Sequence, residues 1–201
     1  MGKIIITGPG RSGTTFLIQL LTRLGMDTGF SPESETYLTG IRAGCEWPIE
    51  INVGEETNDE IRANIEAAPR VLKSPNWSLA LKYLLLNDLI DVEHVFVPIR
   101  DLNVAARSRL DVGLDWMVLD SLEGDERVQD QANILAMVLG RVIEACFLWE
   151  VPCTMLHFPT IVTDPGYCHS KLAPVLGADI TEQEFITAWT ALARPSQIVT
   201  K

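Results

Sequence analysis

The sequence predicts an α/β fold in three layers, with a central parallel sheet flanked by helices. Short β-branched segments alternate along the chain with longer segments of helical periodicity, and glycine or proline ends several of them. Continuous apolar strands are typical of parallel sheets, because helices bury both faces of such sheets. No repeat, low-complexity run or long linker divides the 201 residues. We therefore expect a single domain over residues 1–201.

The apolar runs of strand length and the segments of helical periodicity give the order of the elements. The predicted strands are KIIIT (3–7), RVLK (70–73), HVFVPI (94–99) and PCTMLHF (152–158). The predicted helices cover residues 14–24, 78–90, 103–110 and 131–149. Pro98 lacks an N–H group, which predicts a distorted or edge-like end for the third strand. Residues 27–69 are rich in Gly, Pro and Glu and fit neither period, so we expect a substrate-facing excursion with short helices there.

The chain is acidic, with a formal net charge of −11 at pH 7. Nucleic acids and anionic membranes are bound through many Lys and Arg side chains, so the charge argues against both as partners. Any anionic ligand must be held by a few locally placed cations. The N-terminal residues lack the features of a secretory signal, and we expect no apolar run of membrane-spanning length and a cytoplasmic location. The oligomeric state is left open.

The cysteines do not predict a metal site or a disulfide framework. They stand at Cys45, Cys146, Cys153 and Cys168, widely spaced and without a CxxC pair. We expect buried free thiols.

Residues 8–15 read GPGRSGTT and follow the first predicted strand directly. Glycines let the backbone wrap an anion, and the first amides of the next helix point at it with the favourable end of the helix dipole. The segment therefore predicts an anion site in a P-loop-type fold, with a glycine-rich turn that binds nothing as the alternative. A nucleoside triphosphatase would carry a lysine where this chain has Thr14. The third strand instead ends in Arg100, which suits a second anion, although the neighbouring Asp101 leaves a magnesium-linked acid open.

At these positions the chain resembles the sulfotransferases that use 3′-phosphoadenosine 5′-phosphosulfate. GRSGTTFL is similar to the loop that holds the 5′-phosphosulfate end of this nucleotide, and residues 11–16 match it position by position. Arg100 and Ser108 match the second motif, an arginine that closes a strand and a serine eight positions later. VLKSP, residues 71–75, resembles the strand that carries the active-site lysine. Residues 157–177, HFPTIVTDPGYCHSKLAPVLG, resemble the segment after the fourth strand in bacterial members.

The resemblance implies transfer of a sulfuryl group from this nucleotide to a hydroxyl or amine of a small acceptor, without a metal. It implies that the loop binds the 5′-phosphate and that Lys73 and Arg11 stabilise the charge that develops during transfer. Arg100 and Ser108 would bind the 3′-phosphate. Phe16 would lie beneath the adenine, with packing in the core as the alternative. The nucleotide-binding residues implied in this way are Gly10, Arg11, Ser12, Gly13, Thr14, Thr15, Phe16, Arg100, Ser108 and Arg194.

The chain departs from the family pattern at two places. Pro75 stands two positions after Lys73, where cytosolic members often carry a histidine. The C-terminal glycine-rich loop of those members is absent, and Arg194 is the candidate for its basic residue. For both Lys73 and Arg194 the alternative is a solvent-exposed side chain with no role in a site.

The catalytic base must therefore come from another residue. The resemblance implies a glutamate from the region after the first helix, where Glu33, Glu35 and Glu46 stand. We favour Glu46 and Glu35, with a surface carboxylate as the alternative for each. Two other functions stay open: a P-loop kinase or nucleotidase, which would need magnesium, and a catalytically inactive nucleotide-binding module. The acidic charge favours a small neutral or cationic acceptor over a polyanion.

Overall fold

A parallel sheet forms the centre of the computed structural model, which describes residues 2–33, 57–114 and 122–194. The strands of the described part lie in the order β2-β1-β3-β4 and are all parallel. They are β1 (Lys3–Ile6), β2 (Val71–Lys73), β3 (Val92–Ile99) and β4 (Cys153–His157). The α/β class and all four predicted strands are confirmed, with shifts of one or two residues at the strand ends.

Helices cover both faces of this sheet. Within the described ranges they are α1 (Thr14–Arg23), α2 (Asn58–Ala67), α3 (Trp77–Leu86), α4 (Leu102–Leu110), α5 (Gly124–Leu148), α6 (Thr160–Thr163), α7 (Pro165–Leu172) and α8 (Glu182–Leu192). Helices α1, α6, α7 and α8 pack on one face, and α2, α3 and α5 pack on the other. Helix α4 packs against α5. The three layers predicted from the sequence are therefore present.

The side chains of β1 divide the hydrophobic core into its two layers. Ile4 and Ile6 belong to the cluster that contains α1 and α8, whereas Ile5 belongs to the cluster that contains α3 and α5. All three side chains are fully buried. Burial of both sheet faces explains why β1 is a continuous apolar run and does not alternate with polar residues.

The expected edge-like end at Pro98 is confirmed: β3 lies between β1 and β4, but among the described strands its last residues pair only with β4. Alternate N–H groups of a parallel strand point to opposite neighbours. The N–H of Val95 donates to the carbonyl of Pro152 on the β4 side, at 2.8 Å, so the N–H that Pro98 lacks would face β1. Strand β1 ends at Ile6, opposite Phe96. The proline therefore lies just beyond the paired part of the β1–β3 ladder.

Two helix boundaries differ from the sequence prediction by more than one residue. Helix α5 begins at Gly124 rather than at residue 131, because its first turns are polar and gave no apolar periodicity. Helix α3 ends at Leu86 rather than at residue 90. Asp88 then has a φ of 53°, which turns the chain toward β3. Leu89, which follows this turn, is nevertheless buried.

Part of the segment 27–69 is helical, as expected. Helix α2 begins after Thr57, whose hydroxyl accepts a hydrogen bond from the N–H of Glu60 while the Glu60 carboxylate accepts one from the N–H of Thr57. This capping box fixes the start of the helix. Residues 34–56 lie outside the described residues, so the substrate-facing role of the segment stays a prediction.

The free thiols fall into two groups. Cys146 and Cys168 are buried, as expected, whereas Cys153 is exposed. The exposure follows from its position as the first residue of β4, which is an edge strand. Cys45 lies outside the described residues.

Helix α5 is long and apolar enough to cross a membrane by length and composition alone, contrary to the expectation that no apolar run reaches that length. Core helices of folded domains also have this length and composition. Val142, Ala145 and Cys146 of α5 pack in the core beneath the sheet. The length of the helix therefore decides nothing about location.

We predict that His94 makes the stability of the protein dependent on pH. Its Nε2 lies 2.8 Å from the Thr154 hydroxyl, across the β3–β4 pair, and burial lowers the pKa of His94 from 6.5, with Glu93 opposing the shift. A histidine whose pKa is lowered by folding stabilises the native state above pH 6.5 and loses that contribution as the pH falls through its native pKa. His94→Gln should therefore flatten the decrease in the free energy of unfolding below pH 6.5, measured by urea titration at several pH values. An unchanged slope would contradict this role of His94.

Candidate anion-binding site

The candidate site lies at the carboxyl edge of the sheet, between β1 and β3. The chain passes from β1 to β2 on one side and then crosses to β3 on the other side. The loops that leave β1 and β3 therefore run in opposite directions, and ligands of α/β proteins bind in the crevice that forms at such a point. The loop 8–13 follows β1, and Arg100 follows β3. Both motifs identified in the sequence thus meet at this crevice.

The loop needs glycine at position 13 for two independent reasons. Gly13 has a φ of 92°, in the left-handed region that residues with a side chain rarely adopt. A Cβ at this position would lie 2.8 Å from Cδ2 of Phe158 and 3.0 Å from Cδ1 of Ile161. Gly13 is also the N-cap of α1 and offers no side-chain acceptor to the first amides of that helix. Phe158 and Ile161 therefore pack closely against the loop, and the free amides at the start of α1 are suited to an external anion.

Ser12 carries a buried polar atom that points to such an anion. The residue is completely buried, and its Oγ has no hydrogen-bond partner among the described residues. A buried hydroxyl without a partner costs about 1–3 kcal/mol. Thr14, the first residue of α1, is also buried. The residues present fit a phosphate group, whose oxygens accept hydrogen bonds from hydroxyls and backbone amides.

Arg100 is a largely buried cation next to the loop. Its Nη1 donates to the backbone carbonyl of Arg11 at 3.4 Å, and its guanidinium lies 5.4 Å from the ring centroid of Phe158. Its Nη2 is buried without a hydrogen-bond partner among the described residues. Burial lowers the pKa of Arg100, the positive charge of Arg11 lowers it further, and Asp101 opposes both effects. An anion bound here would offset both unfavourable contributions.

Arg11 and Ser108 join the two motifs directly. Nε of Arg11 donates to Oγ of Ser108 at 3.0 Å, although 97 positions separate them in sequence. Ser108 lies on α4, which begins two residues after Arg100. The four motif residues Arg11, Ser12, Arg100 and Ser108 are thus brought together in one place. The structure supports the juxtaposition that the resemblance implied, and the binding roles stay predictions.

Lys73 lies at the carboxyl end of β2 and is 2% exposed. The alternative of a solvent-exposed lysine at a strand end is therefore wrong. The residues that follow it are tied to the end of β1, because the N–H of Ser74 donates to the carbonyl of Ile6 at 3.3 Å and the Thr7 hydroxyl donates to the carbonyl of Pro75 at 3.4 Å. Lys73 thus belongs to the sheet edge that carries the loop.

Phe16 and Arg194 make their described contacts away from this cluster of cations. Phe16 packs edge to face against Trp189 of α8, with 6.5 Å between ring centroids. This contact supports the alternative of core packing, and the role of Phe16 beneath adenine stays a prediction. Arg194 is exposed and donates to the carbonyl of its neighbour Ala193. Its role toward the nucleotide also stays a prediction.

Of the three glutamates considered as catalytic base, one lies among the described residues. Glu33 is exposed, whereas Glu35 and Glu46 lie outside the described residues, so their roles stay predictions. Asp101, the acid that left a magnesium site open, caps α4 through a hydrogen bond of 2.9 Å from the N–H of Val104. Among the described residues, no group of three or more His, Cys, Asp or Glu side chains is placed to hold a metal ion.

Two residues of the site were not predicted from the sequence. Phe158 lies next to Gly13 and to the guanidinium of Arg100. Its position directly after the fourth strand was the feature of the sequence that could have indicated it. Arg109 reaches the carbonyl of Pro9 from beneath the loop. Its position next to Ser108 in the predicted helix was the feature of the sequence that could have indicated this contact.

No protein-family model and no curated protein matches the chain. Among solved structures, the sulfotransferase domain from the Synechococcus PCC 7002 olefin synthase aligns over 96% of this chain and 81% of its own, with 15% sequence identity and a TM-score of 0.46.

We predict that Gly13→Ala destabilises the fold more than a glycine substitution with the same backbone strain elsewhere. The matched control is Gly25→Ala, since Gly25 has a φ of 79° and no atom lies within 4 Å of the position that its Cβ would take. Left-handed backbone costs an alanine about 1–2 kcal/mol, and overpacking adds about 1–3 kcal/mol. Thermal and urea unfolding of both variants measure the difference. Equal losses of stability would show that contact with Phe158 does not constrain the loop.

Proposed function

We propose that the protein is a sulfotransferase that moves a sulfuryl group from 3′-phosphoadenosine 5′-phosphosulfate to a hydroxyl or amine of a small acceptor. One observation carries the proposal: two positions suited to anions lie side by side in one crevice. The first is the loop with the Ser12 hydroxyl, which has no hydrogen-bond partner in the described part of the chain, and the second is the largely buried guanidinium of Arg100. A nucleotide with phosphates at both its 5′ and 3′ positions matches such a pair.

The loop and α4 would divide the nucleotide between them. In the proposal, the backbone amides of residues 12–15 and the hydroxyls of Thr14 and Thr15 bind the 5′-phosphate at the start of α1. Arg100 and Ser108 bind the 3′-phosphate through charge-assisted and hydroxyl hydrogen bonds. The hydrogen bond between Arg11 and Ser108 supports this division, because it keeps the two groups of binding residues within reach of one molecule.

Lys73 and Arg11 would stabilise the transition state. During transfer, a bond forms between the acceptor oxygen or nitrogen and sulfur, the bond from sulfur to the bridging oxygen breaks, and negative charge moves onto that oxygen. Cations held in a buried position stabilise such a charge more strongly than cations in water. The burial of Lys73 supports this role. A carboxylate, for which we favour Glu46 or Glu35, would take the proton of the acceptor.

We predict that Arg100→Ala weakens binding of 3′-phosphoadenosine 5′-phosphate and leaves binding of adenosine 5′-phosphate nearly unchanged. Hydrogen bonds to charged groups contribute about 1.5–3 kcal/mol, which corresponds to about a ten- to hundredfold increase in Kd. Titration calorimetry of both nucleotides measures the effect. Arg107→Ala is the matched control, because Arg107 lies on the same helix, is about half exposed and pairs with Asp125 at 2.8 Å.

Equal losses for the two nucleotides would mean that Arg100 supports the strand end and does not bind a 3′-phosphate. The same calorimetric series separates the competing functions. Tighter binding of magnesium adenosine triphosphate than of 3′-phosphoadenosine 5′-phosphate to the wild-type protein would favour a kinase or nucleotidase. Tight binding of the latter without turnover over a broad set of acceptors would favour an inactive binding module.

We predict that Lys73→Met lowers kcat far more than it weakens nucleotide binding. Loss of one preorganised group that stabilises transition-state charge lowers kcat by about 10²–10³-fold, whereas the Kd of 3′-phosphoadenosine 5′-phosphate should change little. Lys82→Met is the control, because Lys82 is exposed on α3 and pairs with Glu144 at 2.8 Å. Turnover by Lys73→Met at the wild-type rate would remove Lys73 from the mechanism.

A further inference from the structure

Arg109 is a buried cation directly beneath the loop, and neither motif of the sequence includes it. It lies in the last turn of α4 and is 4% exposed. Its Nη1 donates to the carbonyl of Pro9 at 3.3 Å, and its Nη2 donates to the carbonyl of Leu114 at 2.5 Å. One guanidinium of α4 therefore holds Pro9 of the loop, 100 positions away in sequence, and Leu114, which follows the helix.

The loop backbone lies almost in contact with this guanidinium at the next residue. A Cβ on Gly10 would be 2.7 Å from Nη1 of Arg109, closer than Cβ atoms approach other heavy atoms. Gly10 also has a φ of 71°. Glycine at this position therefore allows both the turn of the loop and the close approach of the cation.

Three consecutive side chains of α4 have different partners, and two of them hold the loop. Ser108 accepts the hydrogen bond from Arg11, and Arg109 donates to Pro9. Arg107 points elsewhere and pairs with Asp125 of α5. The contacts of Ser108 and Arg109 fix the loop on both sides of Gly10.

We propose that Arg109 is a positioning residue for the anion site, and this inference rests on the proposed function. The guanidinium holds the Pro9 carbonyl on the α4 side of the loop, so that this oxygen does not face a bound phosphate and repel it. Its positive charge, buried beneath the loop, adds to the potential that attracts the phosphate. Arginine suits the position because its planar fork spans two carbonyls, which a lysine ammonium does not do with the same geometry. Arg109 acts in this way without touching the nucleotide.

The first test compares Arg109→Met, Arg109→Lys and the control Arg107→Met by calorimetric titration with 3′-phosphoadenosine 5′-phosphate. Arg109→Met should raise Kd about tenfold, Arg109→Lys should recover part of the loss because it retains the charge, and Arg107→Met should stay within about twofold of wild type. Wild-type affinity in Arg109→Met would overturn the proposal. Equal losses in Arg109→Met and Arg107→Met would also overturn it, because any lost charge would then have the same effect.

The second test is a double-mutant cycle, which a merely structural role would not satisfy. Gly10→Ala places a Cβ against Nη1 of Arg109, so it should weaken nucleotide binding more in the wild type than in Arg109→Met, where only the strain of the left-handed backbone remains. Gly25→Ala is the control for backbone strain, since its φ is 79° and its surroundings are open. Additive effects of Gly10→Ala and Arg109→Met would overturn the proposal.

Hydrogen exchange of the nucleotide-free protein separates failure of this inference from failure of the proposed function. The amides of residues 10–13 should exchange at least about tenfold faster in Arg109→Met than in Arg107→Met, with exchange in α5 unchanged. If the wild type binds no 3′-phosphoadenosine 5′-phosphate, the proposed function fails, while this exchange result still supports or overturns the positioning role. If neither Arg109 variant folds, Gly10→Ala must speed exchange in the loop more than Gly25→Ala does, and equal effects overturn the proposal.

Discussion

The site depends on close packing around the loop that leaves β1. A side chain at Gly13 would require Phe158 to shift, and a side chain at Gly10 would require the guanidinium of Arg109 to shift. The loop is therefore held by the end of β4 and by α4 before any ligand binds. Such packing reduces the reorganisation that an anion must cause when it binds, which is the usual basis of a preorganised site. It also explains why a short loop can hold its backbone in left-handed conformations at Gly10, Arg11 and Gly13.

The charge of the candidate site is opposite in sign to the net charge of the protein. The protein has a formal net charge of −11, and yet Arg11, Arg100, Arg109 and Lys73 all lie at the carboxyl edge of the sheet. Three of these cations are largely buried, so salt screens them less than it screens the acidic surface. A local positive site within an acidic protein favours small anions over extended polyanions, because an extended polyanion would also approach the surrounding negative charge.

The sequence predicted those parts of the structure that depend on local pattern. Glycine and proline at the ends of short apolar segments located all four strands, and the loop at residues 8–13 was located because its pattern is contained in a few adjacent residues. The central position of β3 was not predicted, because strand order is decided by packing between distant segments. The same reason applies to Arg109 and Phe158, whose contacts with the loop span about half of the chain or more. The burial of Lys73 depends on the tie between the residues after β2 and the end of β1, which no local pattern indicates.

The hydrogen bond between Arg11 and Ser108 joins residues 97 positions apart, so the loop can gain this contact only late in synthesis of the chain. During synthesis the N-terminal loop leaves the ribosome first, but its supports at Ser108, Arg109 and Phe158 are translated much later. Gly10 lacks its contact until Arg109 has emerged, and Gly13 lacks its contact until Phe158 has emerged, so both constraints on the loop form late. Under the proposed function, nucleotide would therefore stabilise the chain only after β3 and β4 have joined the sheet.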